Sequence, residues 1–299
     1  MAISSSTYIL LNGNFHTQSS LIFNIDNRGF AYGDCIRETI HTCADRLCFI
    51  DQHLRHLREG MKLAMMDIPK KFLNKDKEFS AEISKLLTKN RVFRGSTVTI
   101  TVFRSAFAPM STSADGVEYT IHCEPHDELG YSLNGRGLRL GVVEGSSMAV
   151  SPFSNYYTCD NSLQKIAIAK QCLKHSLDDS FIFNADKHIV ETAGNGNVFV
   201  IKGNTIQTPP LSDGCKDDVM RRVILEKVAP AMGYTAISDV PLLECDINNS
   251  DINSKIEEIF VASTHGGIQW VSAFKSRRFM RAKTTAIVSK VSELYEAQQ

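Results

Sequence analysis

The sequence lacks net charge: 33 lysines and arginines face 33 aspartates and glutamates. That balance offers no basic surface for nucleic acid. It also lacks any apolar run near the roughly 20 residues of a membrane span, so no transmembrane helix is expected. The opening stretch, "MAISSSTYILLNGNF", has neither the basic start nor the apolar core of a signal peptide, and the expected address is the cytoplasm. No CxxC pair occurs, and the eight cysteines do not fall at zinc-ligand spacing. No metal site is therefore expected, and without a secretion signal a disulfide framework is not expected either. Internal repeats and low-complexity segments are absent as well. Cys35, Cys43, Cys48, Cys123, Cys172, Cys215 and Cys245 are read as reduced, mostly buried small hydrophobes. Cys159, at a helix start, is the exception.

What is present is a soluble composition, 43% hydrophobic and 22% charged, over 299 residues. That length suffices for a sizeable core and implies two domains. The pieces "YILL" and "FHTQ" flank Asn12-Gly13, a two-residue hairpin signal. "RLCFI" reads as a strand. "DQHLRHLREGMKLAMM" reads as a helix capped by Asp51, and residues 79–89 as a second helix. "STVTITVFR" and "VEYTIHCEP" form a β-branched strand pair. The polar stretch "HDELGYSLNGRG", with three glycines, reads as a linker. The expected division is an N-terminal α/β domain over 1–125, a linker over 126–136 and a C-terminal α/β domain over 137–299.

In the second part, "LRLGVVEG" is a strand and a helix begins near Asn161, after Thr158, Cys159 and Asp160. Short strands follow, turning at Asn184-Ala185-Asp186, Gly194-Asn195-Gly196 and Gly203-Asn204. "DDVMRRVILEKVAPAMG" is a helix with Asp217 and Asp218 at its start. "TAISDVPL" and "EIFVASTHGGIQWVSAF" are strands, the latter interrupted at Thr264 to Gly267. Antiparallel hairpins outnumber βαβ units, so the class is α+β.

Two places could cradle an anion on backbone N–H groups: the helix start at Asp217 to Met220, and the Thr264-His265-Gly266-Gly267 loop. From spacing alone an ordinary cap and turn is the favoured reading of both, and Asp217 and Asp218 would repel an anion. Glu191 ends a strand just before a glycine-rich turn.

The order of these pieces resembles the class IV aminotransferase family, fold type IV of the pyridoxal-phosphate enzymes. The matching stretches include "DNRGFAYGDCIRETI", "HLRHLREGMKLAMM", "NSLQKIAIAKQ", "IVETAGNGNVFVIKGNTIQTPPLSDG", "VMRRVILE" and "EIFVASTHGGI". The family holds branched-chain and D-amino-acid aminotransferases and 4-amino-4-deoxychorismate lyases. The resemblance implies a two-domain D-amino-acid-aminotransferase-like architecture, a small-molecule ligand between the domains and a homodimer. It also implies roles. Glu191 matches the carboxylate that pairs with the pyridinium nitrogen, so that the ring can accept electrons. Val219 and Met220 match residues whose amides hold the cofactor phosphate, and Thr264 a hydroxyl that touches it.

Three positions depart from the family pattern. Thr158 falls where the Schiff-base lysine belongs, and threonine forms no imine. His56 falls on the phosphate-binding arginine and lacks its guanidinium fork. Asp218 falls on a phosphate-loop glycine and adds negative charge beside a phosphate carrying about two. The expectation is a divergent member whose cofactor site is dismantled, with no pyridoxal phosphate retained.

Several alternatives stay open. Cys159 could serve as nucleophile for acyl or thioester chemistry, with His56 or His265 as base. Lys165 could replace the missing lysine, although about 10 Å further along the helix axis it reads as a solvated lysine. The chain could instead be a non-catalytic binding protein, with His265 beside its ligand. Arg37, where the family often has an aromatic residue, is either a cation on the substrate side or a surface arginine.

Overall fold

The structure, a computed structural model, describes residues 7–20, 26–44, 46–73, 77–105, 116–126, 131–159, 162–194, 196–249 and 255–297. Asp160, Asn161, the turn residue Asn195 and positions 127–130 of the expected linker lie outside the described residues. The chain divides into two compact units, one of residues 1–130, 156–160 and 295–299, the other of 131–155 and 161–294.

The first unit is an antiparallel sheet with helices. In chain order it holds β1 (Tyr8–Leu11), β2 (Asn14–Thr17), α1 (Arg28–Tyr32), β3 (Cys35–Cys43), β4 (Arg46–Leu47), α2 (Ile50–Leu63), α3 (Lys70–Leu73), α4 (Lys77–Lys89), β5 (Gly95–Arg104) and β6 (Val117–His126). The strand order is β2-β1-β6-β5-β3-β4. Asn12 and Gly13 turn β1 into β2 with φ of 51° and 86°. Two consecutive positive φ angles define the type I′ turn that Asn-Gly favours. β5 is registered along its length against both β3 and β6. α2 presents Leu54, Leu57 and Met61 on one face, at spacings of three and four, and all three are fully buried.

Local expectations change here. The strand expected at "RLCFI" shrinks to Arg46–Leu47, because Phe49 takes a left-handed φ of 52° and α2 starts at Ile50. Asp51 is therefore not the cap. It sits in the first turn, where its charge complements the helix dipole. The short helix α1 went unread; Asn27 caps it by accepting the Phe30 N–H at 3.1 Å.

The second unit holds β7 (Leu138–Gly141), α5 (Ser162–Lys174), β8 (Asp179–Phe183), β9 (Ile189–Thr192), β10 (Asn197–Lys202), β11 (Thr205–Gln207), α6 (Val219–Val223), a wide π turn at Ile224–Val228, α7 (Ala229–Ala231), β12 (Thr235–Ile237), α8 (Glu244–Asn248), β13 (Glu258–Ser263), β14 (Gly267–Phe274), β15 (Arg277–Arg278) and the start of α9 (Ala282–Glu296). Its sheet runs β12-β11-β10-β13-β14-β7-β8-β9, with β15 on β14. Phe181, Val198, Val200, Ile259, Val271 and Phe274 build its core. The single helix expected after Asp217 is three pieces, α6, the π turn and α7.

The hairpin β13–β14 turns at Thr264 to Gly266. Tyr131 donates its O–H to the Thr264 carbonyl at 3.0 Å. A side chain on Gly267, at φ 66°, would meet the Tyr131 ring at 2.7 Å, so packing as well as backbone angle requires glycine there. No helix among the described residues is long and apolar enough to cross a membrane. No group of three or more histidines, cysteines or carboxylates among them could hold a metal ion.

Candidate functional site

Each unit carries one set of the residues singled out by sequence. In the second unit the set centres on Asp218, the N-cap of α6. Its extended backbone (φ −68°, ψ 143°) aims the carboxylate back over the helix start. Oδ1 accepts the Met220 N–H at 2.7 Å, the Thr264 N–H at 3.1 Å and the Thr264 O–H at 2.9 Å. Asp218, Val219, Met220 and Thr264 are all buried. Three donors from two elements thus converge on one carboxylate, which serves as the anion of this cradle. The neighbouring Asp217 faces elsewhere, accepting the Arg222 Nε–H at 2.9 Å.

Glu191 lies on β9, opposite Ile182, and is buried. Its Oε1 is 2.7 Å from Lys165 Nζ. The expectation that Lys165 is solvated is overturned, because its side chain is only 8% exposed. The reason is the orientation of α5, which buries Lys165, Ile168 and Cys172 while Leu163, Ile166 and Leu173 face outward. Glu191 Oε2 is buried and has no hydrogen-bond partner among the described residues. A cavity lined by Glu191, Ser154, Val190, Asp213 and Lys216 has a volume of about 10 Å³, room for about one water.

His265 is exposed. It borders a larger hollow of about 400 Å³, together with Asp179, Thr192, Gly194, Gly266 and Gln269. Burial raises the Asp179 carboxyl, opposed by hydrogen bonds from the Ser180 and Gly194 N–H groups and the Thr192 hydroxyl and by the charge of Lys165.

In the first unit, His56 does not stand alone. His53 and His56, three apart on one face of α2, both direct Nδ1 at Glu38 of β3, at 2.6 and 2.7 Å. The ring of His56 stacks on Tyr156 with centroids 4.9 Å apart. All three members of the cluster are buried. Burial alone would raise the Glu38 carboxyl. The charge of His56, hydrogen bonds from His53 and His56, and the charge of His53 outweigh it and bring the pKa from 4.5 to about 2.

A carboxyl depressed by folding stabilises fully above its unfolded pKa and loses that contribution as pH falls through its folded one. Acid titration should therefore show stability falling between pH 4.5 and about 2, by about 3 kcal/mol. Glu38→Gln should be less stable at neutral pH and lack that slope. A flat wild-type curve through this window would show that the histidines do not hold the carboxylate.

Arg37 is exposed on β3. Its N–H donates to the Tyr157 carbonyl at 2.8 Å, and the two residues form an antiparallel bridge. Thr158 and Cys159 follow, both half-buried. Cys159 Sγ lies 2.8 Å from Cys35 Sγ. Sequence reasoning missed three residues: Glu38, His53 and Cys35. The first two had a signal, the i, i+3 histidine spacing in α2. Cys35 had none, since 124 residues separate it from Cys159.

A family model described as amino-transferase class IV matches residues 36–274. A protein of Methanocaldococcus jannaschii, provisionally named a branched-chain-amino-acid aminotransferase, is 23% identical over 290 residues, covering 96% of this chain and 95% of that one. The branched-chain aminotransferase of Thermoproteus uzoniensis, solved with norvaline, matches with a TM-score of 0.81 at 18% identity, over 97% of this chain and 94% of that one. A Legionella pneumophila protein provisionally named 4-amino-4-deoxychorismate lyase matches with a TM-score of 0.78 at 17% identity, over 93% and 97% of the two chains. At these identities the structural likeness shows the fold, and it is the fold that the sequence resemblance implied.

Proposed function

Since the chain belongs to the amino-transferase class IV family, we propose that it is a divergent member that works without pyridoxal phosphate, a pseudoenzyme with respect to transamination. The observation that carries this reading is the Asp218 carboxylate, bonded to Met220 N–H, Thr264 N–H and Thr264 O–H. Met220 and Thr264 are residues that the family resemblance assigns to the cofactor phosphate. A second anion within about 4 Å of that carboxylate meets a repulsion of about 4 kcal/mol per unit charge at an effective dielectric of about 20. A micromolar complex is worth only about 8 kcal/mol in total. The like-charge contact alone would remove most of the affinity.

The other positions point the same way. Glu191, which the resemblance pairs with the pyridinium nitrogen, is held by Lys165. His56, at the arginine position, gives Nδ1 to Glu38. Thr158 offers no amine. The residues present do not fit the cofactor. The displaced-lysine alternative is disfavoured because an imine at Lys165 would strip the buried Glu191 of its counter-ion.

The test is retention of the cofactor. The purified full chain is incubated with pyridoxal phosphate, reduced with borohydride and weighed intact by mass spectrometry. The expected result is a colourless protein with no added mass. One equivalent of cofactor retained through gel filtration would sink the proposal. An adduct mapped to Lys165 would move the function to the displaced-lysine reading.

A further inference from the structure

The first unit brings together two pairs of thiols far from any metal-ligand spacing. In one, Cys43 and Cys48 have their sulfurs 3.4 Å apart. The Cys48 S–H pulls the Cys43 thiol down to about 5, against burial and with help from His41 and Arg46. Both are almost wholly enclosed, at 2% and 1% exposure, which keeps reagents from them. The second pair, Cys35 and Cys159, differs in that one member reaches the surface: Cys35 is buried and Cys159 is half-buried.

We propose that Cys35 and Cys159 form a redox-active dithiol that small hydroperoxides oxidise to a disulfide. Backbone register carries the first part of the argument. The antiparallel bridge joins Arg37 to Tyr157. Two residues back along β3 is Cys35, and two residues on from Tyr157 is Cys159, so register sets the two cysteines opposite each other. Opposed residues of an antiparallel pair have Cα atoms about 4.5–5.5 Å apart. A disulfide spans roughly 4.4–6.8 Å. That register puts a disulfide within reach, and the sulfurs already lie 2.8 Å apart.

The division of labour follows from protonation and exposure. The thiol of Cys35 is raised, first by its hydrogen bond to Cys159, then by burial and the charge of Cys159. Cys35 therefore holds its proton tightly, and either sulfur can donate across the 2.8 Å contact. Cys159 is the partner that solvent reaches, so its sulfur attacks the peroxide. The O–O bond breaks, the alcohol (or water, from hydrogen peroxide) leaves with a proton, and Cys159 becomes a sulfenic acid. The Cys35 sulfur attacks that sulfur, the S–O bond breaks and water departs with the Cys35 proton. Two thiols have lost two electrons, and the hydroperoxide has been reduced to an alcohol and water. A dithiol reductant reverses the bond by exchange. The disulfide would fasten the run from Tyr156 to Cys159 onto the outer edge of β3. This chemistry needs no cofactor and holds whether or not one binds.

The experiment uses the full chain in a Cys245→Ser background, because Cys245 is the one exposed thiol. The protein is treated with hydrogen peroxide, blocked with iodoacetamide, digested and mapped by mass spectrometry. The expected result is one linked pair of peptides, carrying Cys35 and Cys159, that dithiothreitol separates. Either Cys35→Ser or Cys159→Ser should abolish the link completely, and Cys35→Ser should leave a sulfenic acid at Cys159 that dimedone captures. Should Cys35→Ser fail to fold, Cys159→Ser at the half-exposed position carries the comparison. Full alkylation of both thiols after peroxide, a Cys43–Cys48 link in place of this one, or direct over-oxidation of Cys159 in the otherwise unaltered chain would overturn the proposal.

Discussion

Lys165→Met should destabilise the second unit by about 3–5 kcal/mol, the cost of leaving a buried carboxylate without its counter-ion. At roughly 2–4 °C per kcal/mol for a unit of this size, its thermal transition should fall by on the order of 10 °C. Burial sets the magnitude. Lys290 and Glu293 are 2.8 Å apart, much like Lys165 and Glu191 at 2.7 Å, yet the surface pair is 35% and 64% exposed against 8% and 3%. An exposed pair of that kind contributes only a few tenths of a kcal/mol, so Lys290→Met should leave the transition in place. The double variant Lys165→Met/Glu191→Leu should recover most of the loss, because apolar residues of similar volume replace a buried ion pair at little net cost. The cycle gives the coupling directly. A Lys165→Met protein as stable as the wild type would mean that the lysine stands in solvent and that Glu191 is open to another partner.

The same lysine shows where sequence reading stops. Helical periodicity places apolar residues inward, and on α5 this suggests that Leu163, Ile166 and Leu173 face the core. They are 79%, 53% and 77% exposed, and Lys165 lies on the buried face. Ile168 and Cys172 share that buried face, and the carboxylate on β9 gives the lysine a partner there, hidden by its sequence separation from the helix. α9 was missed for a related reason. Its sequence is rich in β-branched residues, among them Thr284, Thr285, Ile287, Val288 and Val291, which weigh towards strand. Its cap is remote: Glu258, at the start of β13, accepts the N–H groups of Lys283 and Thr284 at 2.9 and 2.7 Å. Local signals were legible where the cause is local. Asn12-Gly13 specified its turn, and the β-branched run of β5 its strand. In the candidate site, Glu191, Val219, Met220 and Thr264 stood out only through the family resemblance. Their partners did not, because Asp218 to Thr264 and Lys165 to Glu191 are contacts between elements.

Asp218→Gly makes the larger change to the anion cradle. Glycine in the N-cap place costs only about a few tenths of a kcal/mol, but the substitution also removes charge-assisted bonds worth roughly 1.5–3 kcal/mol each before overlap between them is counted. The second unit should therefore lose several kcal/mol in buffer without phosphate. It should also gain what the wild type lacks, because the N–H groups of Met220 and Thr264 and the Thr264 hydroxyl are left with no acceptor. Inorganic phosphate is the probe for those donors, and a ligand at 100 times its dissociation constant restores about 2.7 kcal/mol. Thermal unfolding of Asp218→Gly should thus rise steeply with phosphate concentration. Wild-type unfolding should show only the weak, general stabilisation that excluded anions give any protein. The difference between the two slopes isolates the site from the solvent effect. Equal slopes would mean that the carboxylate does not stand in for an anion, and the case against a bound cofactor phosphate would lose its main support. A steep slope in the variant alone would mean that one side chain closes an anion cradle that the rest of the fold still builds.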